Sequence, residues 1–569
     1  MAQINRKQFF QNLASEALTE KELPIYPYKD PSNTKVPNSL RKTSTGINPY
    51  QGTWTETEIK HLCRRTLFGV SRADIDFFRT KTMAQAVDAI LNTPTTDPTP
   101  PVNHYSANTN FPDAEVALGQ TWVNANENGL LSGARRTSFK AWWMGLMINQ
   151  ERNIREKMTL FWHHHFATES SIIQLARFTY DHHKMLRQNC LGNFKTLTRL
   201  VATDCAMLVY LNGEKNTKTA PDENFARELQ ELFTIGKDLA NHYTEDDVKA
   251  AAKIMTGWRN NRVGYTSFFD STKHDTTNKQ FSSFYNNTVI SGKTGSAGAT
   301  ELDDLMTMIF NHDEVAKYIC RKIYRFFVYY IIDESVETNV IVPLATIFRN
   351  SGYNIKTVMD TLLKSEHFYD SLNMGCVIKP PTDHLAGIAR TFNLQLPDPS
   401  NIPQTYAHLS YIQQIGLAFG QDIGDAPNVA GWPAYWQSPQ YYELWINSDS
   451  LPKRNQVCDG LIYTGFNRQG FKLILDPIAF VSQFSTPEDP NELINQAVNL
   501  LFAIDISTNS KTQLKTAFLL SGQASDYYWT DAWIAYIQAP TDNSKKQAVY
   551  IRLQGLFKYL MGLAEFQLI

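Results

Sequence analysis

Apolar residues recur along most of the chain at spacings of three and four, the period of helices with one buried face. From Glu56 the run Ile59, Leu62, Cys63 and Phe68 predicts a helix closed by Gly69, with short helices following at 72–78 and 83–91. A long helical region is expected from about 132 to 210. Thr244 and Asp247 form a capping-box pattern ahead of Val248, Ala251, Ala252, Ile254 and Met255, a stripe that stops at Gly257. Further helical patterning covers 302–330, 341–348, 355–368, 382–392 and 545–566. Residues 260–300 lose the period and are dominated by Gly, Ser, Thr, Asn and aromatics, which predicts a long loop or small hairpin. The segment 420–446, rich in Pro, Gly and aromatics, reads as an ordered loop packed by its own rings, with Trp432 inside it.

The expectation is therefore a mainly α protein: a large multi-helix globular domain with a small irregular or β insertion. Residues 1–55 read as an extended N-terminal arm, 56–395 as a helical domain carrying His and Glu motifs, and 396–569 as a C-terminal helical subdomain packed on it. The proline break at 396–403 sets that boundary. Composition agrees: 569 residues with 43% hydrophobic and 12% aromatic content supply ample material for a core. The charge balance, 54 Lys plus Arg against 56 Asp plus Glu, provides no global field to draw nucleic acid. Six cysteines without CxxC spacing fit neither a disulfide framework nor a thiolate zinc site. No run of 18 apolar residues exists, so no integral membrane segment is expected. The opening MAQINRKQFFQNLASEALTE lacks an uninterrupted apolar core, although Asn5-Arg6-Lys7 before Phe9-Phe10 is compatible with a decayed export leader.

Two strings carry candidate chemistry. FWHHHF (161–166) places three histidines in a helical run; at 100° per residue His165 shares a face with Ile154, Met158, Phe161 and Trp162, whereas His163 points nearly opposite. PDENFARELQELFTIG (221–236) reads as one helix whose apolar face holds Phe225, Leu229, Leu232 and Phe233, bordered by Asn224, Glu228 and Glu231. Arg227 lies four residues from both Glu223 and Glu231. Such a stripe is either a salt-bridged surface or one wall of a cavity in which carboxylates and an imidazole hold a divalent metal or perform acid–base work. His274-Asp275, in the long loop, is a further polar pair. HExxH, GxSxG, Walker and GxGxxG patterns are absent.

Taken together, LCRRTLFGVS (62–71), FWHHHF, MLVYLNG (207–213), PDENFARELQELFTIG, TGWR (256–259), HDTTNK (274–279), GQDIGDAPNVAGWP (420–433) and AEFQ (564–567) resemble, in this order, the Domain of Unknown Function 1800 family. The resemblance spans about 56–569. It implies a large helical domain, a bacterial source, an exported protein, and a partner encoded beside it that looks like the alkaline phosphatase and sulfatase group. The motif positions are His163, His165, Glu223, Asn224, Arg227, Glu228, Glu231, Trp258, His274 and Asp275. Where the family pattern has Asn, this chain has His164 and Asp222.

The leading expectation is a metal-dependent enzyme, hydrolase or oxidase, acting on an unknown extracytoplasmic substrate. His163, His165, Glu228 and Glu231 would be ligands to a divalent metal, and Glu223, Asn224, Arg227, His274 and Asp275 would serve catalysis. The alternative is a non-catalytic scaffold or assembly factor in which the same residues form a buried polar network. A third reading makes Trp432, Tyr435, Trp436, Tyr441, Tyr442 and Trp445 a glycan-binding surface.

Overall fold

The computed structural model describes residues 43, 45–237 and 242–569. Most of the expected 1–55 arm lies outside the described residues. Helices supply most of the regular structure, and the described strands form three short antiparallel pairs: Trp258–Asn261 with Thr266–Phe269, Lys279–Gln280 with Val289–Ile290, and Phe466–Arg468 with Phe471–Leu473. Two of the pairs occupy the stretch that lost the helical period. The third, at 466–473, was not anticipated. The protein is mainly α with small sheet pieces.

Capping chemistry sets many helix starts. Thr55, Ser71, Thr82 and Thr244 each accept a bond from the N3 backbone while Glu58, Asp74, Gln85 and Asp247 return one, so four capping boxes form. The expected helical region from 132 to 210 is built of five longer helices and a single turn at Ser170–Ile173: Ser132–Ile148, Arg155–His165, Ala176–Gln188, Phe194–Val201 and Cys205–Tyr210. Asn193 and Asp204 start the last two as side-chain caps, and such caps compete with helix continuation. The helix of the second motif is also shorter than its pattern, running only from Asn224 to Glu231. Its tail folds back, with Thr234 Oγ1 donating to Leu229 O and Gly236 N–H to Gln230 O.

The chain divides into two compact units. Among described residues one holds 43, 45–237, 242–454, 466–473 and 569, the other 455–465 and 474–568. The division does not coincide with the expected 395/396 boundary. The reason is packing: Ile402–Ala418, beyond the proline break, lies against Ser132–Ile148 in the first unit. The second unit is helical, with Pro490–Leu501, Tyr527–Gln538 and Asn543–Gly562 as its longest elements. No described helix is long and apolar enough to cross a membrane.

Candidate functional site

Every residue of the helix Arg155–His165 is buried, so the expectation that His163 would face away from the packed side gives way to a helix enclosed all round. The histidines are acceptors and donors for backbone. His163 Nε2 accepts from Gly424 N–H at 3.2 Å and His164 Nδ1 from Trp432 N–H at 3.1 Å. His165 Nε2–H donates to Phe233 O at 3.1 Å. Burial pushes the pKa of all three down, that of His163 to about 3, so they are neutral imidazoles at physiological pH. FWHHHF thus holds two other motifs in place, the 420–433 loop and the turn after Glu231. Ser170 N–H donates to Gly424 O at 3.0 Å, and Lys140 joins Asp422 at 2.8 Å and also pairs with Asp425.

His274 and Asp275 are likewise absorbed. His274 Nδ1 meets Thr256 O at 3.0 Å and Nε2 meets Glu301 Oε1 at 3.0 Å. Lys279 Nζ donates to Glu301 Oε2 at 2.6 Å, and Asp275 Oδ1 accepts from Thr277 N–H. The buried Lys279–Glu301 ion pair and the His274 hydrogen bonds stitch the irregular insertion to the helix Glu301–Phe310. On the other motif, Arg227 pairs with Glu223 at 3.2 Å and with Glu245 at 2.7 Å, while Glu231 pairs with Lys237 at 3.3 Å. Glu245, on the next helix, was not foreseen as a partner. Asn224 is exposed, and its amide donates to Leu211 O at 3.4 Å.

His163, His165, Glu228 and Glu231 are not brought together as a ligand set. Among the described residues no three His, Cys, Asp or Glu side chains converge in an arrangement able to hold a metal ion. The reason lies in the histidines, whose engaged nitrogens are committed to backbone groups of different segments. The aromatic reading loses part of its platform: Trp432 and Trp445 are buried and the half-buried Tyr435 is stacked on Phe326 and packed against His164 at 4.6 Å, while Tyr441 and Tyr442 are half-buried and Trp436 is exposed.

Three of the motif positions keep an unpartnered polar atom, His165 at Nδ1, Trp258 at Nε1 and Glu228 at Oε2, and of these Glu228 is the carboxyl. Glu228 is half-buried, its Oε2 has no hydrogen-bond partner, and burial and the neighbouring Glu231 push its pKa up to about 7. Two tyrosines feel its charge. Tyr210 donates to Glu169 Oε1 at 3.1 Å and its hydroxyl pKa is raised by burial, then by Glu169, Glu228 and Asp425. Tyr243 is raised by burial and by Glu231. A carboxyl that titrates near neutrality can give or take a proton without a large penalty in either direction. The sequence reading missed Lys322. Burial, then Arg325, brings its ammonium down to about 7, and it lies over the Tyr318 ring at 5.0 Å close to His164 and His165. The only signal was a lysine flanking the apolar face of Asp313–Phe327, which surface lysines also produce.

No curated protein and no solved structure matches the chain. Residues 61–568 match the model of the family described as Protein of unknown function (DUF1800), and with nearly its whole length covered the chain belongs to that family.

Proposed function

We propose that the protein is an enzyme of hydrolytic type in which Glu228 is the reacting acid–base group. The observation that carries this reading is the carboxyl itself: a half-buried motif residue with an unpartnered oxygen, its pKa pushed up to about 7 by burial and by Glu231. As a base, Glu228 would take a proton from water attacking the substrate, and as an acid it would return that proton to the leaving group. Glu231 tunes it by like-charge repulsion. Of the two reactions considered, hydrolysis is the one that side-chain acid–base chemistry can run alone. An extracytoplasmic substrate remains part of the proposal on the family resemblance only.

The scaffold reading has its own support, because the three histidines and His274 are spent on fixing loops. The two readings part experimentally. Side-chain carbon NMR of Glu228 should titrate with a midpoint near 7, and Glu228→Gln should remove turnover found in a panel of chromogenic esters, phosphate esters and glycosides while leaving the melting temperature intact at pH 5. A midpoint near 4.5, or turnover unaffected by Glu228→Gln, would leave the scaffold as the better reading. Elemental analysis of tag-free protein, with and without chelator, tests the metal expectation separately.

A further inference from the structure

The helices Arg155–His165 and Pro381–Thr391 are joined through Lys157 and Asp383, whose side chains are only 4% and 1% exposed. Lys157 Nζ donates to Asp383 Oδ1, and among the described residues the amine has no second acceptor. Asp383 Oδ2 has no hydrogen-bond partner. Around Nζ stand the rings of Phe68 at 4.8 Å and Phe326 at 5.9 Å. An ammonium offers three donors and a carboxylate about four acceptor sites, so most of what water gave these two groups is left unreplaced. Burial accordingly lowers the pKa of Lys157 and raises that of Asp383, in each case against the pull of the partner's charge. Both directions favour an uncharged pair, a free amine held against a carboxylic acid.

A second buried pair, Lys279 with Glu301, is built differently. Glu301 accepts from His274 and from Lys293 N–H as well as from Lys279. In spite of burial these bonds hold its carboxyl below the usual range, so that pair stays ionic. Lys157 also lines a cavity of about 20 Å³, shared with Arg65 and Tyr435. That is room for one water, which needs ~10–15 Å³.

We propose that Lys157 and Asp383 condense to an isopeptide bond, a covalent cross-link between the histidine helix and the helix Pro381–Thr391. The Nζ lone pair attacks Asp383 Cγ, one amine proton passes to the carboxyl hydroxyl, and that hydroxyl leaves as water. A C–N bond replaces a C–O bond, no electrons are exchanged, and no co-reactant is needed. In water the reaction is opposed because both groups must first be neutralised; here burial does so. Contact supplies the rest, since well-oriented groups react as if at effective concentrations on the order of 10⁵ M or more. The test is mass spectrometry of the full chain, denatured and then digested with trypsin. The intact mass should fall short of the sequence mass by one water. The digest should contain a branched peptide joining the chain around Lys157 to that around Asp383, with no cleavage after Lys157. Lys157→Met and Asp383→Ala should each show the full mass of their own sequence. An intact parent mass equal to that of the sequence, with Lys157 and Asp383 in separate unmodified peptides, would overturn the inference, and this measurement needs no variant to fold. So would a missing water that maps to other residues or persists in Lys157→Met.

Discussion

His163 and His183 press against the same ring, Trp143, yet differ in what their nitrogens touch. His163 accepts the buried Gly424 N–H, whereas neither nitrogen of His183 has a partner. Removing an acceptor strands its donor, while removing an unpaired imidazole strands nothing. His163→Leu should therefore cost about 1–3 kcal/mol in urea unfolding and His183→Leu no more than about 1 kcal/mol, or be stabilising. Equal losses would contradict this accounting. Glu228 and Lys322 give opposite pH signatures. With its folded pKa raised from 4.5 to about 7, Glu228 binds an extra proton in the folded state across that window, so its contribution to stability declines as pH rises from 4.5 to 7. Glu228→Gln should remove that decline and, after discounting for partial exposure, be about 1–2 kcal/mol more stable than the parent at pH 8. Lys322, lowered from 10.5 to about 7, makes stability rise with pH over that range. Lys322→Met should gain on the order of 2 kcal/mol at pH 7, shrinking toward pH 10, in parallel melts.

At the scale of elements, the histidine helix and the 420–433 loop behave as one piece. Gly431 has φ of +82°, and a Cβ there would stand 2.1 Å from His164 Nδ1. Trp432, fully buried, donates its backbone N–H to the same nitrogen and packs its ring against His163. Gly431→Ala is thus opposed by both backbone conformation and space, and should cost about 3 kcal/mol or more. Trp432→Ala should cost a similar amount, about 3–5 kcal/mol, from the cavity it leaves. Calorimetry checks both; unchanged melting temperatures would show that the loop is not fastened to the helix.

Across the molecule, buried histidines accumulate into an acid response. Burial lowers the pKa of His61, His104, His163, His164, His165, His183 and His384, all in the first unit. Below pH 6.5 the unfolded chain takes up protons at these positions that the folded chain refuses, so stability is lost as pH falls. Each contributes about 1 kcal/mol between pH 7.5 and 5.5, and together several. Melting temperature should fall steeply over that interval, and the His163→Leu and His183→Leu variants should each flatten the slope. A pH-independent melt from 5.5 to 7.5 would refute the accumulation. The second unit, with none of the lowered histidines, is expected to lack this response.

Period, caps and breakers are local, and they determined much here: the mainly α class, the capping boxes at Thr55, Ser71, Thr82 and Thr244, the stop at Gly257 and the change of character after it. They also marked FWHHHF and the 221–236 string as unusual. What the marked residues touch is not local. Helical phase could place His163 opposite His165 but could not say that both sides are covered, because covering comes from segments more than 250 residues away, such as Gly424 and Trp432. The same holds for His274, whose partner Glu301 engages a ring nitrogen that sequence alone left open to catalysis. Glu228, already marked in the sequence with Glu223 and Glu231, stood apart from them only once burial and Glu231 had shifted it, and Lys322 stood out only once burial had. Desolvation decides all of these, and it depends on what the whole chain brings to one point.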